Sequence, residues 1–275
     1  MTESRSYVPD EVPVPDLFRN GTARRIRYDA WPVMATLLHH MAVTGCSLTR
    51  EMIYSYIRLD SGIDPFDSNL ARKLATVERR CQRAIVNLEM LGLIETFKVQ
   101  LFRGKIVYIL ASLTRLGRAF CMEYGWQPVE SDWEILKKHH QGESQKKHSA
   151  AVLLFAMHAR ARGWQVVLLP KAAGDATLYA SIYDPDLKIS KGTIQAMVEV
   201  ETKAASKKTE KWHLSNMSQR LAAVCALSPK RRQSLEMEIL AANTRCFSTD
   251  FHYLNNDLKV HPFNPGELWA NILHP

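Results

Sequence analysis

Between residues 69 and 99 the hydrophobic pattern changes period at a single glycine, and this change limits the folds open to the chain. Leu74, Val77, Cys81, Ile85, Leu88 and Leu91 recur every three or four residues, the spacing of one helical face. Gly92 suits the position just past a helix C-terminus, and residues 93–99 then read as a strand. Arg103-Gly104-Lys105 makes a tight basic turn, residues 106–110 return as a second strand, and residues 114–124 form a further helix. Upstream, residues 31–43 are apolar on a helical face and stop at Gly45. Ser47 and Thr49 are of the type that caps a second helix over residues 50–57. A loop rich in Asp, Ser, Gly and Pro separates that helix from the long one.

The order helix, helix, helix, β-hairpin, helix resembles a winged helix-turn-helix over residues 30–125, with "RAIVNLEMLGLIE" similar to a recognition helix running into its first wing strand. The resemblance implies DNA binding, with the third helix in the major groove, where Arg pairs with guanine and polar side chains read other base edges. The face opposite the apolar stripe carries the candidates Arg72, Lys73, Thr76, Arg79, Arg80 and Arg83. Lys98, Arg103 and Lys105 on the hairpin would meet phosphates or the minor groove, giving affinity rather than sequence information. The competing reading is a protein-interaction module whose arginines form a solvated face.

Charge supports a polyanionic partner. The chain has 275 residues with 36 Lys+Arg against 28 Asp+Glu, a net charge of +8. The excess is local: residues 70–83 hold five basic residues and one acid, residues 137–171 seven and one, residues 203–232 eight and one. The length suggests two domains. No apolar stretch reaches the length of a membrane span, and residues 1–16 lack the apolar core of a secretory signal. Five widely spaced cysteines give neither a disulfide framework nor a zinc knuckle, which fits a reduced, cytoplasmic setting and no membrane partner.

After residue 148 the pattern turns to alternating α and β: a helix over 148–162, a short strand over 165–169, alternating segments at 175–183 ("DATLYASIY") and 193–201 ("TIQAMVEVE") joined by a loop, a helix over 204–222, a buried strand at 224–227, a helix over 229–242 and a last strand near 245–251. This is the pattern of an α/β sandwich around a mixed sheet. The order and the acids resemble the PD-(D/E)XK, restriction-endonuclease-like fold, whose motif is an acid at the start of one strand and acid-x-Lys on the next. Residue by residue the resemblance makes Asp175, preceded by Gly174 instead of Pro, the first metal ligand and Glu199 the second. Glu201 stands at the family's Lys position, or Lys203 takes that role one pleat later. It implies a Mg²⁺-dependent DNA endonuclease, in which Asp175, Glu199, Glu201 and Lys203 do the chemistry and Lys207, Lys208 and Lys211 on the following helix grip the DNA backbone. A degenerate fold that grips nucleic acid without cutting it is the alternative, as an accessory or regulatory factor or a subunit of a larger nucleoprotein complex.

The expected organisation is therefore an α+β winged helix followed by an α/β PD-(D/E)XK-like domain: a basic arm over 1–28, the winged helix over 29–128, a linker over 129–147, the nuclease-like domain over 148–254 and a tail over 255–275. That order also resembles replication-relaxation-type proteins of mobile elements, which implies a bacterial mobile-element or defence role. Both domain types often act as dimers, so a homodimer and other protein partners are expected from the resemblance. The ten histidines show no spacing such as H-E-x-x-H, so no zinc site is read from motifs. Leu268, Trp269, Ile272 and Leu273 form an amphipathic patch in the tail, expected to pack on the second domain rather than on a partner.

Overall fold

A computed structural model of the chain describes residues 30–101, 107–140, 143–175, 184–202, 221–255 and 261–274. Among these residues it is a mixed α+β protein with eight helices and eight strands. It divides into two compact units, the boundary falling after Glu134.

The first unit contains α1 (Trp31–Thr44), α2 (Thr49–Leu59), α3 (Leu70–Met90), the hairpin β1 (Ile94–Gln100) and β2 (Val107–Leu113), and α4 (Arg115–Glu123); α5 (Asp132–His139) begins in it. α1 runs through the core, with Trp31, Met34, Leu37 and Leu38 almost fully buried. It ends at Gly45, whose φ of 69° favours glycine and whose added Cβ would meet the Glu130 carbonyl at 2.6 Å. The segment leading to α5 is tied to that turn, because Val129 N donates to Ala42 O and Asp132 N to Gly45 O, both at 2.8 Å. The α1–α2 connection adds an antiparallel bridge, Leu48 to Leu110, beside β2. Thr114 caps α4 by accepting from Gly117 N at 2.9 Å.

The second unit is a six-stranded sheet in the order β3-β4-β5-β6-β7-β8, formed by β3 (Gln165–Leu168), β4 (Leu187–Lys191), β5 (Ile194–Glu201), β6 (Leu221–Ala226), β7 (Cys246–Asp250) and β8 (Asn271–Leu273). β5, β6 and β7 are parallel, and antiparallel strands close both edges. The register Leu187–Val198–Ala223–Phe247 puts these side chains on one face, where α6 (Glu143–Ala161) packs. The other face carries Glu199, Val224 and Ser248 in one row and Glu201, Ala226 and Asp250 in the next. There α7 (Pro229–Ala241) seals the sheet with Leu235 and Ile239, and the short α8 (Phe251–Asn255) follows β7.

Four sequence expectations change. Residues 184–192, read as a loop, contain β4; Leu187 and Ile189 alternate with Lys188 and Ser190, but the flanking Asp-Pro-Asp and Lys-Gly hid so short a repeat. The linker over 129–147 is largely helical, with α5 inside it and α6 starting at Glu143. The helix expected over 204–222 gives way to strand at Leu221, while its part over 203–220 lies outside the described residues, as does the strand expected over 176–183. The stripe of the third helix is buried at Cys81, Ile85 and Leu88 but only half-buried at Leu74, Val77 and Leu91. The tail packs on the second unit as expected, except that Ile272 of the predicted patch stays exposed. Trp269 stacks on Phe247 with ring centroids 5.2 Å apart, Leu268 is buried, and β8 pairs with β7.

Candidate functional site

α3 is about 32 Å long at 1.5 Å per residue, and its two halves differ. No residue from Leu70 to Arg80 is buried; the anchors Cys81, Ala84, Ile85 and Leu88 all lie further along. The leading half therefore projects about three turns of helix whose outward residues Arg72, Lys73, Thr76, Arg79 and Arg80 are exposed, with Arg83 exposed beyond them. Asp67 orders the entry: its carboxylate accepts from Asn69 N at 2.7 Å and pairs with Lys73. That bond from Lys73, then the one from Asn69, holds the Asp67 carboxyl below the usual range. Lys73 is thus partly engaged, while Thr76 Oγ1 and Arg79 Nε bond back to the helix carbonyls of Arg72 and Ala75. Lys98 is exposed on β1. Arg103 and Lys105 lie outside the described residues.

In the second unit the acids gather at the end of the sheet where the parallel strands finish. Glu199 and Glu201 are both 2% exposed. They lie on the α7 face, and Asp250 lies two strands from Glu201 in the same row. Asp250 is fully buried and pairs with Arg232 Nε at 2.8 Å. Asp175 stands in the turn after β3 and accepts from Lys188 Nζ at 2.9 Å. Lys203, Lys207, Lys208 and Lys211 lie outside the described residues.

The acid at the start of β4 is Asp186. Continuing the β4–β5 register by one residue places it opposite Glu199. Its Oδ2 accepts from Val200 N at 2.7 Å and its Oδ1 meets His148 Nε2 at 2.8 Å. Leu169, held at a φ of 43° that a branched side chain seldom adopts, donates its N–H to Asp186 O at 2.9 Å. His140, just past α5, completes the cluster: its ring lies 4.9 Å from that of His148, and its Nδ1 contacts Ser149 Oγ at 3.0 Å. Burial, reinforced by the neighbouring His148, lowers the His140 pKa and so favours its uncharged imidazole. Among the described residues, His140, His148 and Asp186 are the group of three donors within mutual reach of one ion, each offering a ligand atom within 4.8 Å of the others.

Motif reading passed over these three residues because they are scattered. His148 is 38 positions from Asp186, and no local spacing announces the cluster. The signal within reach was Pro185-Asp186 ahead of the alternating "LKIS". No family model, curated protein or solved structure matches the chain.

The donor sets bear on the expected Mg²⁺. That ion prefers all-oxygen octahedral surroundings. Asp175 pairs with Lys188, and the donors grouped with Asp186 are imidazoles, which suit zinc, iron, copper or nickel. The grouped donors do not suit Mg²⁺.

Proposed function

We propose that the chain is a DNA-binding protein whose first unit works as a winged helix and whose second unit, PD-(D/E)XK-like in its order of elements, holds nucleic acid without cutting it. The observation that carries the reading is the leading half of α3, which exposes basic residues on a helix with no buried residue before Cys81. A helix presented this way fits a major groove, and its arginines would gain both phosphate and base-edge contacts. The resemblance in domain order puts the setting in a mobile element or a defence system, with DNA and other proteins of a nucleoprotein complex as partners.

A second reading, a metal-dependent DNA endonuclease, is favoured by one observation. Glu199 and Glu201 sit at the C-terminal end of a parallel strand, where open α/β sheets place their ligand sites. Two measurements separate the readings. In gel shifts at matched salt, Arg79→Ala with Arg83→Ala should weaken DNA binding by about tenfold or more and flatten its salt dependence; unchanged affinity would remove α3 from the interface. Supercoiled plasmid incubated with Mg²⁺ or Mn²⁺ should stay intact. Cleavage by the wild type that disappears in both Glu199→Gln and Glu201→Gln would establish the endonuclease instead.

A further inference from the structure

We propose that His140, His148 and Asp186 form a binding site for one divalent ion of the zinc class. The donors are two imidazoles and one carboxylate, a set that matches zinc and its neighbours among the transition metals far better than Mg²⁺ or Ca²⁺. Three structural elements deliver them: the end of α5, the first half of α6 and the residue before β4. The ligand atoms already lie within 4.8 Å of one another. Ligands about 2.0–2.1 Å from a tetrahedral ion lie about 3.4 Å apart, so a rotamer adjustment closes the site without moving the backbone.

The surroundings orient each donor as outer-shell groups do around metal ligands. Ser149 Oγ holds His140 Nδ1 at 3.0 Å, which presents Nε2 as the coordinating nitrogen. Val200 N occupies Asp186 Oδ2 at 2.7 Å, which presents Oδ1. The Leu169 N–H fixes the Asp186 backbone at 2.9 Å. Asp184 lies near enough to act electrostatically on His140 and adds a second negative charge. The 2.8 Å contact between His148 Nε2 and Asp186 Oδ1 is the bond an entering ion would replace, Nε2 then coordinating from the neutral imidazole protonated at Nδ1. Three protein ligands leave a fourth position for water or for an oxygen of a bound phosphate.

The site does not depend on the DNA-binding reading, and neither gel shifts nor plasmid cleavage bears on it. The test is isothermal titration of the full chain, stripped with chelator, with Zn²⁺ and separately with Mg²⁺. One Zn²⁺ per chain should bind, with Mg²⁺ at least about a hundredfold weaker, and Co²⁺ should give visible bands of nitrogen and oxygen ligation without the near-ultraviolet band of a thiolate. His140→Ala and His148→Ala should each abolish the stoichiometric Zn²⁺ site, Asp186→Asn should weaken it by at least about tenfold, and His252→Ala, exposed on α8, should leave it intact. Absence of Zn²⁺ binding in the wild type would overturn the proposal and leave a metal-free His–Asp pair. So would a thiolate signature with Co²⁺, which can be read on the wild type even if the histidine variants do not fold.

Discussion

Gly117 shows how narrowly single residues fix the first unit. A Cβ added there would lie 1.9 Å from the carbonyl oxygen of Leu93 and 2.9 Å from its carbon, so α4 touches the start of β1 backbone to backbone. The same glycine donates its N–H to the Thr114 cap. Gly117→Ala should therefore destabilise by about 1–3 kcal/mol, the usual cost of overpacking, seen as a lower midpoint in urea, although alanine is the better helix former. Glu134 adds a pH-dependent contact. Burial pushes its carboxyl up, but bonds from the Ser131 backbone and hydroxyl and from Arg118 outweigh this and lower its pKa below 4.5. A lowered folded-state pKa means that the contribution is present above the unfolded value and is lost as pH falls through the folded one. The pair is about one-third exposed, so the effect stays under about 1 kcal/mol. Glu134→Gln should be less stable than wild type at pH 7, and the two melting curves should converge as the pH falls through the lowered Glu134 pKa. No residue type alone announced either site: glycine is common in loops, and which carbonyl it approaches follows from how distant segments pack.

At the scale of elements, the third helix was legible along its whole length, from 70 to 90, because one period runs through it and Gly92 ends it. Its burial was not. Leu74 and Val77 continue the stripe in sequence, yet they are only half-buried and full burial begins at Cys81, and periodicity cannot say how far a partner surface extends. β4 was missed for the opposite reason, since four alternating residues between turn formers give too weak a repeat. The C-terminal strand makes a separate expectation. Trp269 stacks on Phe247 and also touches Phe155 and Trp164, joining β7, α6 and the tail. Trp269→Ala should cost about 2–4 kcal/mol, near the lower end for large aromatic truncations because the ring is only half-buried. Urea unfolding of the second unit, followed by circular dichroism, would measure it, and an unchanged midpoint would show that the tail contributes nothing to the sheet.

For the whole molecule, the five cysteines serve as reporters of the two units. All are buried. Burial pushes the thiols of Cys81, Cys121, Cys225 and Cys246 up, Cys81 to about 12 and Cys121 to about 11, and only a thiolate reacts readily. Native protein at pH 8 should therefore show no fast-reacting thiol, and full denaturant should show five. In rising urea, Cys46, Cys81 and Cys121 should become reactive together, as should Cys225 and Cys246, because each set lies in the core of one unit. Labelling that divided either set would contradict the division. What the sequence determined by itself was local: the periods of the helices, the strand ending in Glu-Val-Glu, the glycine stops and the basic bias of one helix face, all set by neighbours within a few residues. What the tertiary structure decided was which distant residues meet. Asp186, His140 and His148 come from three elements and share a site because β4 pairs with β5 and α6 packs across the sheet, and Asp175 meets Lys188 because β3 pairs with β4. Strand pairing and helix packing bring together groups far apart in the chain, and no local pattern of residue types records where those contacts fall.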